Sequence, residues 1–305
     1  MPCRIAGRHL CNFYRRPLVL RSQNYDTIEI SSKDNLTLKF LYNTLPGRLF
    51  LKALIRPFTS KFFGLLADSA VSKLFIKGFI KKNKINIDEY KDTKYSSFNN
   101  FFSREVKNEY RPFPDNALYL ASPCDGKLTA YQINEDSVFK IKDSLYDING
   151  LLQDKNLSCE FTNGICLIFR LTPDDYHRYR YIDNGNILSV KKIKGLLHTV
   201  RPISQEKYNV FIQNAREYAV LQTENFGKVI QMEVGALFVG RIKNFLTNGE
   251  FKREAEKGMF EFGGSTVIML FQKDKVVIDE AIFNNTLENK ETVVKTGNIL
   301  GKSAD

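Results

Sequence analysis

Residues 26 to 40 alternate apolar and polar positions, with Ile28, Ile30, Leu36 and Leu38 as the apolar set, and this period of two predicts a short hairpin. From about Gly47 the period lengthens. Arg48, Lys52 and Arg56 fall on one helical stripe beside Leu51, Leu54, Ile55 and Phe58, and Pro57 breaks or kinks that helix. A second helical segment sets Lys73, Lys77, Lys81 and Lys84 against Leu74, Ile76, Phe79 and Ile80. Residues 96 to 109, opening Ser96-Ser97-Phe98, read as a helix with a serine at its N-cap. Beyond Arg111 the pattern changes to short apolar runs bounded by glycine, asparagine or proline, among them Ile165–Phe169 and Val267–Phe271. These runs are too dense for a parallel doubly wound sheet, whose strands are separated by long helices. The expected fold class is therefore α+β, a helical N-terminal part followed by a mostly antiparallel β-rich body. Three regions follow: an N-terminal extension and hairpin (1–40), a basic amphipathic helical region (41–111) and the β-rich body (112–305). Thr296-Gly297-Asn298 predicts a tight turn near the end of that body.

Charge sharpens the second region. The chain carries a net charge of +11, and the stretch from Arg48 to Lys84 holds nine of the basic residues against one acid, Asp68. A localised basic face implies an anionic partner. Its helices also carry a large aromatic face (Phe50, Phe58, Phe62, Phe63, Phe75, Phe79), which favours a membrane interface over solvated surface helices. Nucleic acid is disfavoured, because no helix-turn-helix, zinc finger or RNA-binding sheet signature accompanies the charge. No apolar run is long enough to span a bilayer. The five cysteines are odd in number and unpaired in spacing, which fits free thiols in a reducing compartment. His9, His177 and His198 are scattered and suggest no metal site. Residues 1 to 24 are arginine-rich, with the composition of an organellar presequence and equally of an upstream start, and carry no functional reading.

The segment Gly258–Ile268 reads as strand, glycine pair, serine, strand. Glycine tolerates backbone geometries closed to other residues. The peptide before Ser265 can thus be bent until the hydroxyl attacks its own preceding carbonyl. A glycine pair in a strand equally marks a bulge or a close backbone approach.

Gly263-Gly264-Ser265-Thr266 resembles the self-processing site of the phosphatidylserine decarboxylase proenzymes. Ser122-Pro123-Cys124-Asp125-Gly126-Lys127, Leu171-Thr172-Pro173-Asp174-Asp175-Tyr176-His177-Arg178 and Glu233-Val234-Gly235-Ala236-Leu237-Phe238-Val239-Gly240 resemble three further elements of that family, in family order, and the resemblance runs from about Leu41 to the C-terminus. It implies a proenzyme that cuts itself between Gly264 and Ser265. Ser265 attacks the Gly264 carbonyl to give an ester, elimination leaves dehydroalanine, and water converts this to a pyruvoyl group with release of ammonia. The products are a β chain ending at Gly264 and a small α chain beginning at the modified Ser265. The pyruvoyl cofactor then forms a Schiff base with phosphatidylserine and CO2 leaves, giving phosphatidylethanolamine at an anionic membrane surface. The expected location is peripheral, on the cytoplasmic face of the cell membrane.

Within that scheme His177 is the expected proton-transfer group, and Asp125 the group that orients and charges a base. An Asp-Gly turn is the plainer reading of Asp125. Many family members carry a second histidine three residues after the first, usually given the base role; here that position is Arg180, which cannot accept a proton at neutral pH. His177 serves twice, another group such as His198 serves, or the chain stays uncut as a lipid-surface binding protein.

Overall fold

The computed structural model describes residues 25–30, 36–92, 94–136, 138–141, 144–205, 208–236, 242–261 and 265–304. The extension 1–24, Leu237–Gly240 and the Gly263-Gly264 pair lie outside them.

The helical part comprises α1 (Leu36–Asn43), α2 (Leu45–Leu54), α3 (Pro57–Asp68), α4 (Ile76–Asn83) and α5 (Phe98–Phe102). Thr44 caps α2, its side chain accepting from the Gly47 N–H. Pro57 sits in the first turn of α3, where its missing N–H costs nothing, so the helix breaks where the proline predicts. The expected hairpin over 26–40 is not formed. Thr27–Glu29 is a single strand whose partner lies far along the chain, and Leu36–Asn43 is helical. Within α1 the buried positions are the adjacent Leu41 and Tyr42, while Leu36 is exposed, so the alternation of Leu36 and Leu38 marks no sheet face. The helix expected over 96–109 is confined to α5. Ser97 caps it by accepting from Asn100 N–H, and the chain then leaves the helix to form a bridge between Val106 and Tyr90.

The strands run in chain order as β1 (Thr27–Glu29), β2 (Tyr119–Ala121), β3 (Gly126–Gln132), β4 (Val138–Ile141), β5 (Ser144–Asp147), β6 (Ile165–Leu171), β7 (Arg178–Arg180), β8 (Gly185–Ile193) and β9 (Arg216–Thr223). Then come β10 (Lys228–Gly235), β11 (Ile242–Asn244), β12 (Gly249–Phe251), β13 (Glu256–Phe260), β14 (Ser265–Phe271), β15 (Val276–Ile278), β16 (Lys290–Val294) and β17 (Ile299–Ser303). Nine form one sheet in the order β1-β16-β3-β6-β14-β10-β9-β8-β12. Two three-stranded sheets, β11-β13-β7 and β15-β17-β2, and the hairpin β4-β5 complete the body. Every pairing between these strands is antiparallel, as expected for an α+β chain.

The run Ser-Thr-Val-Ile-Met-Leu-Phe of β14 is buried at every position. A strand covered on both faces needs such a continuous apolar run, and β14 accordingly lies mid-sheet between β6 and β10. Its first residue, Ser265, pairs with Leu171 at the end of β6 and with Gly235 at the end of β10. The serine is thus delivered to one end of the central strands, where the loops after β6 and β10 also begin.

Candidate active site

Ser265 is fully buried, and among the described residues its hydroxyl has no hydrogen-bond partner. A buried hydroxyl normally finds a partner, so an orphaned one at a strand end marks a site with a task beyond packing. The neighbouring Thr266 hydroxyl is orphaned as well.

The loop leaving β6 brings His177 to the same end of the sheet. The turn that carries it is held by Lys127, whose ammonium donates to both Asp175 carboxylate oxygens at 2.7 and 2.8 Å and to the Thr172 hydroxyl at 2.6 Å. Asp175 in turn accepts from the Thr172 N–H at 2.6 Å, closing the turn. Burial pushes the Asp175 carboxyl up, with Lys127 opposing the shift. His177 is completely buried, with the Phe102 ring of α5 4.1 Å from its own. Its Nδ1 lies 2.9 Å from the Asp175 carbonyl oxygen. A carbonyl can only accept, so Nδ1 carries the proton and Nε2 the lone pair. That Nε2 is buried and has no partner among the described residues. Burial, with Arg104 adding its charge, pulls the imidazole down to about 3, so the ring is neutral at physiological pH. Its own carbonyl accepts from Phe260 N–H at 2.9 Å, which ties His177 to the strand that runs on towards Ser265.

Asp125 stands at the start of β3 and does not hydrogen-bond the imidazole. Arg111 grips it through Nε and Nη2 at 2.8 to 3.1 Å, and Thr296 donates to it from both N–H and hydroxyl at 2.8 and 2.9 Å. Arg111 also reaches Glu89 at 2.9 Å. The predicted closing turn is what presents Thr296. Gly297 adopts φ +88°, and a Cβ there would meet the Pro112 carbonyl oxygen at 2.1 Å, so only glycine fits.

The two other candidates lie apart from this grouping. Arg180, on β7, is opposite Glu256 and lines a separate cavity of about 410 Å3 with Lys91, Asn108 and Arg253. His198 is buried against the Tyr208 ring at 4.5 Å and bonded to the Tyr42 hydroxyl at 3.3 Å, which fastens α1 to the body. Burial lowers it to about 4. Its ring is engaged by two tyrosines, which leaves it a packing role.

A cavity of about 480 Å3 opens on the opposite face of the sheet end, lined among others by Lys82, Lys127, Arg170, Thr172, Asp174 and Arg201. Arg170 is the direct neighbour of Thr266 in the sheet and pairs with Glu291 at 2.7 Å through Nε.

The phosphatidylserine decarboxylase family model matches residues 98–302. The chain belongs to the phosphatidylserine decarboxylase family. It is 46% identical over 272 residues to phosphatidylserine decarboxylase proenzyme 2 of Clostridium acetobutylicum, covering 89% of this chain and 93% of that protein. It is 38% identical over 291 residues to the phosphatidylserine decarboxylase proenzyme of Ruminiclostridium cellulolyticum, covering 93% and 96%. The corresponding proenzyme of Fusobacterium nucleatum is 40% identical over 270 residues, covering 87% and 90%. In this chain Ser265 opens β14 at the end of the large sheet, and His177 lies in the loop that leaves β6 at that same end.

Lys127, Asp175, Arg111 and Thr296 were not singled out by sequence reasoning. Lys127 and Asp175 lie inside the motifs that carry the resemblance, whereas Arg111 and Thr296 meet Asp125 only through the fold.

Proposed function

We propose that this chain is a self-cleaving phosphatidylserine decarboxylase whose scissile bond joins Gly264 to Ser265. The observation that carries the reading is the pair of orphaned polar atoms at one sheet end, the Ser265 hydroxyl and the His177 Nε2. The neutral imidazole is a base without a proton on its free nitrogen, so it can take the serine proton and return it to the departing amide nitrogen. The Ser265 oxygen bonds to the Gly264 carbonyl carbon, the C–N bond breaks, and the freed nitrogen gains the proton. Arg180 in place of a second histidine is no obstacle, since His177 supplies the base. Asp125 acts at a distance here, with Arg111 and Thr296, by fixing the start of β3 beside β16.

The residues fit a group made from Ser265, because the site is buried, stands at a strand end, and leaves the hydroxyl without a hydrogen bond among the described residues. The pyruvoyl group so formed supplies an electron sink for loss of CO2. His177 takes on Nε2 the proton that the substrate ammonium gives up on reacting, and returns it to the substrate carbon once CO2 has left. The charged cavity beside Thr266, on the other face of the sheet end, offers Lys82 and Arg201 to an anionic headgroup approaching the site, while Lys127 and Arg170 are engaged by Asp175 and Glu291.

Membrane contact falls to the helical part. Phe58, Phe62 and Leu65, at helical spacing on α3, are 81, 53 and 66% exposed, and Val71, Leu74 and Phe75 extend the apolar surface. Exposed Lys73, Lys77 and Lys81 follow on the next turns. No helix among the described residues is long and apolar enough to cross a membrane. The exposed apolar face beside exposed lysines supports peripheral contact with an anionic bilayer, which we take to be the cytoplasmic face of the cell membrane.

On a denaturing gel the purified protein should run as two chains, the smaller one blocked to Edman sequencing, and Ser265→Ala should run as one. A wild type that stays intact on long incubation overturns the proposal.

A further inference from the structure

A buried polar cluster lies on the same face of the large sheet as Ser265 and is used by none of the steps above. Side chains two apart on a strand share a face. Gly235 pairs with Ser265, so Glu233, two residues before it on β10, points to the Ser265 side. Glu233 is fully buried and sits directly opposite Glu217 on β9, a like-charged cross-strand pair that is unfavourable by itself. Two lysines resolve it, Lys192 of β8 reaching Glu217 at 3.0 Å and Lys257 of β13 reaching Glu233. The Lys257 ammonium, 1% exposed, donates to both Glu233 oxygens at 2.7 Å. Asn244 of β11 donates to Glu217 at 2.9 Å and to Glu233 at 3.1 Å, and its carbonyl oxygen accepts from Lys257 at 3.2 Å and from the Tyr179 hydroxyl of β7 at 3.0 Å. The cluster therefore joins every strand of the small sheet β11-β13-β7 to the central strands of the large one.

Two further observations show that the backbone is shaped for this contact. The pairing of β13 with β7 slips between Glu256 and Gly258, which makes Lys257 the extra residue of a β-bulge. Bulges re-aim a side chain, and here the side chain aimed is the lysine. Gly258 follows it, and a Cβ at that position would stand 2.8 Å from the Asn244 side-chain oxygen and 2.7 Å from the Tyr179 hydroxyl. Any larger residue would push the cluster apart.

We propose that Lys257, through Glu233 and Asn244, is a positioning residue for self-cleavage: it clamps β13 to β10 so that Phe260 and Ser265, the described flanks of the scissile segment, are held in fixed relation to each other. β13 leads directly into that segment, and β10 ends at the residue paired with Ser265. The clamp thus fixes both sides of the scissile bond. This inference rests on the cleavage reading above.

The test is a pulse–chase of newly translated chains, reading the half-time of conversion to two chains. The double variant Lys257→Met/Glu233→Gln removes both charges together, so it leaves no buried charge unpaired and keeps the thermal midpoint near that of wild type. Its cleavage should be slower by on the order of a hundredfold, the usual penalty for a reacting geometry displaced by about an ångström. Wild-type cleavage speed in a double variant of normal thermal midpoint overturns the inference and leaves the cleavage reading standing. Should the double variant not fold, Tyr179→Phe keeps the buried ring and removes one hydrogen bond of the cluster. It should slow cleavage roughly threefold, and an unchanged half-time overturns the clamp. A wild type that never converts overturns the parent reading instead.

Discussion

Asp175 and His177 are joined by a hydrogen bond from ring to backbone, the imidazole Nδ1 donating to the Asp175 carbonyl oxygen at 2.9 Å. This single contact decides which nitrogen is basic. His177→Gln should therefore abolish base catalysis while preserving bulk, slowing conversion to two chains by about 10²- to 10⁴-fold. Pulse–chase of the variant beside wild type checks this, and conversion at the wild-type rate would remove His177 from the mechanism.

Both buried histidines bear on acid stability. Their folded values lie near 3 and 4, below the ordinary 6.5, so the unfolded chain binds protons first as pH falls. Stability is then lost progressively between about pH 6.5 and 4. Asp175 and Glu233, raised by burial, act in the opposite direction and gain protons in the folded state. The difference between wild type and His177→Gln/His198→Gln isolates the histidines: thermal midpoints measured from pH 7.5 to 4.5 should fall less steeply in the double variant. Parallel slopes would contradict the assignment of neutral rings.

Asp125 is predicted to matter first for the fold. Removing it leaves the buried Arg111 guanidinium with Glu89 as its remaining carboxylate and deprives Thr296 of its acceptor. Asp125→Ala should cost about 3 kcal/mol of stability, measured by urea titration, and decarboxylation of labelled phosphatidylserine should fall with it. Thr296→Val should cost about 1 kcal/mol.

The exposed face of α3 should bind lipid. Phe58→Ser/Leu65→Ser should reduce capture by sedimented vesicles containing phosphatidylserine. Lys73→Glu/Lys77→Glu should reduce capture by anionic vesicles and leave weak capture by neutral ones unchanged. Equal capture of wild type by neutral and anionic vesicles would remove the basic stripe from the account.

Local patterns in the chain foretold what local physics controls. The all-buried β14 reads as a continuous apolar run, Pro57 and Thr44 punctuate the helices, and Gly297 marks its turn. The hairpin over 26–40 failed because four alternating apolar residues cannot separate a strand from a short helix, and the partner of Thr27–Glu29 is the distant β16. Ser265 and His177 stand in motifs, so the sequence alone singles them out as candidates. The partners that define their chemistry were harder. Asp125 meets Thr296 across 171 residues, and Lys127 meets Asp175 across 48, separations that only the folded sheet closes. Asp125 was expected beside the base, but its carboxylate is taken by Arg111, while a backbone carbonyl orients His177.

The strand order of the large sheet has a consequence for the cut molecule. β14 is flanked by β6 and β10, β16 by β1 and β3, and β17 is bonded to β2. Apart from β15, which also pairs with β17, the flanking strands precede residue 264, so the short C-terminal piece would be woven between strands of the long one. A nick at 264–265 would leave the elution volume of the native particle unchanged, and only denaturant would release the fragment. Refolding from separated pieces would demand threading strands back into a sheet already closed around their places.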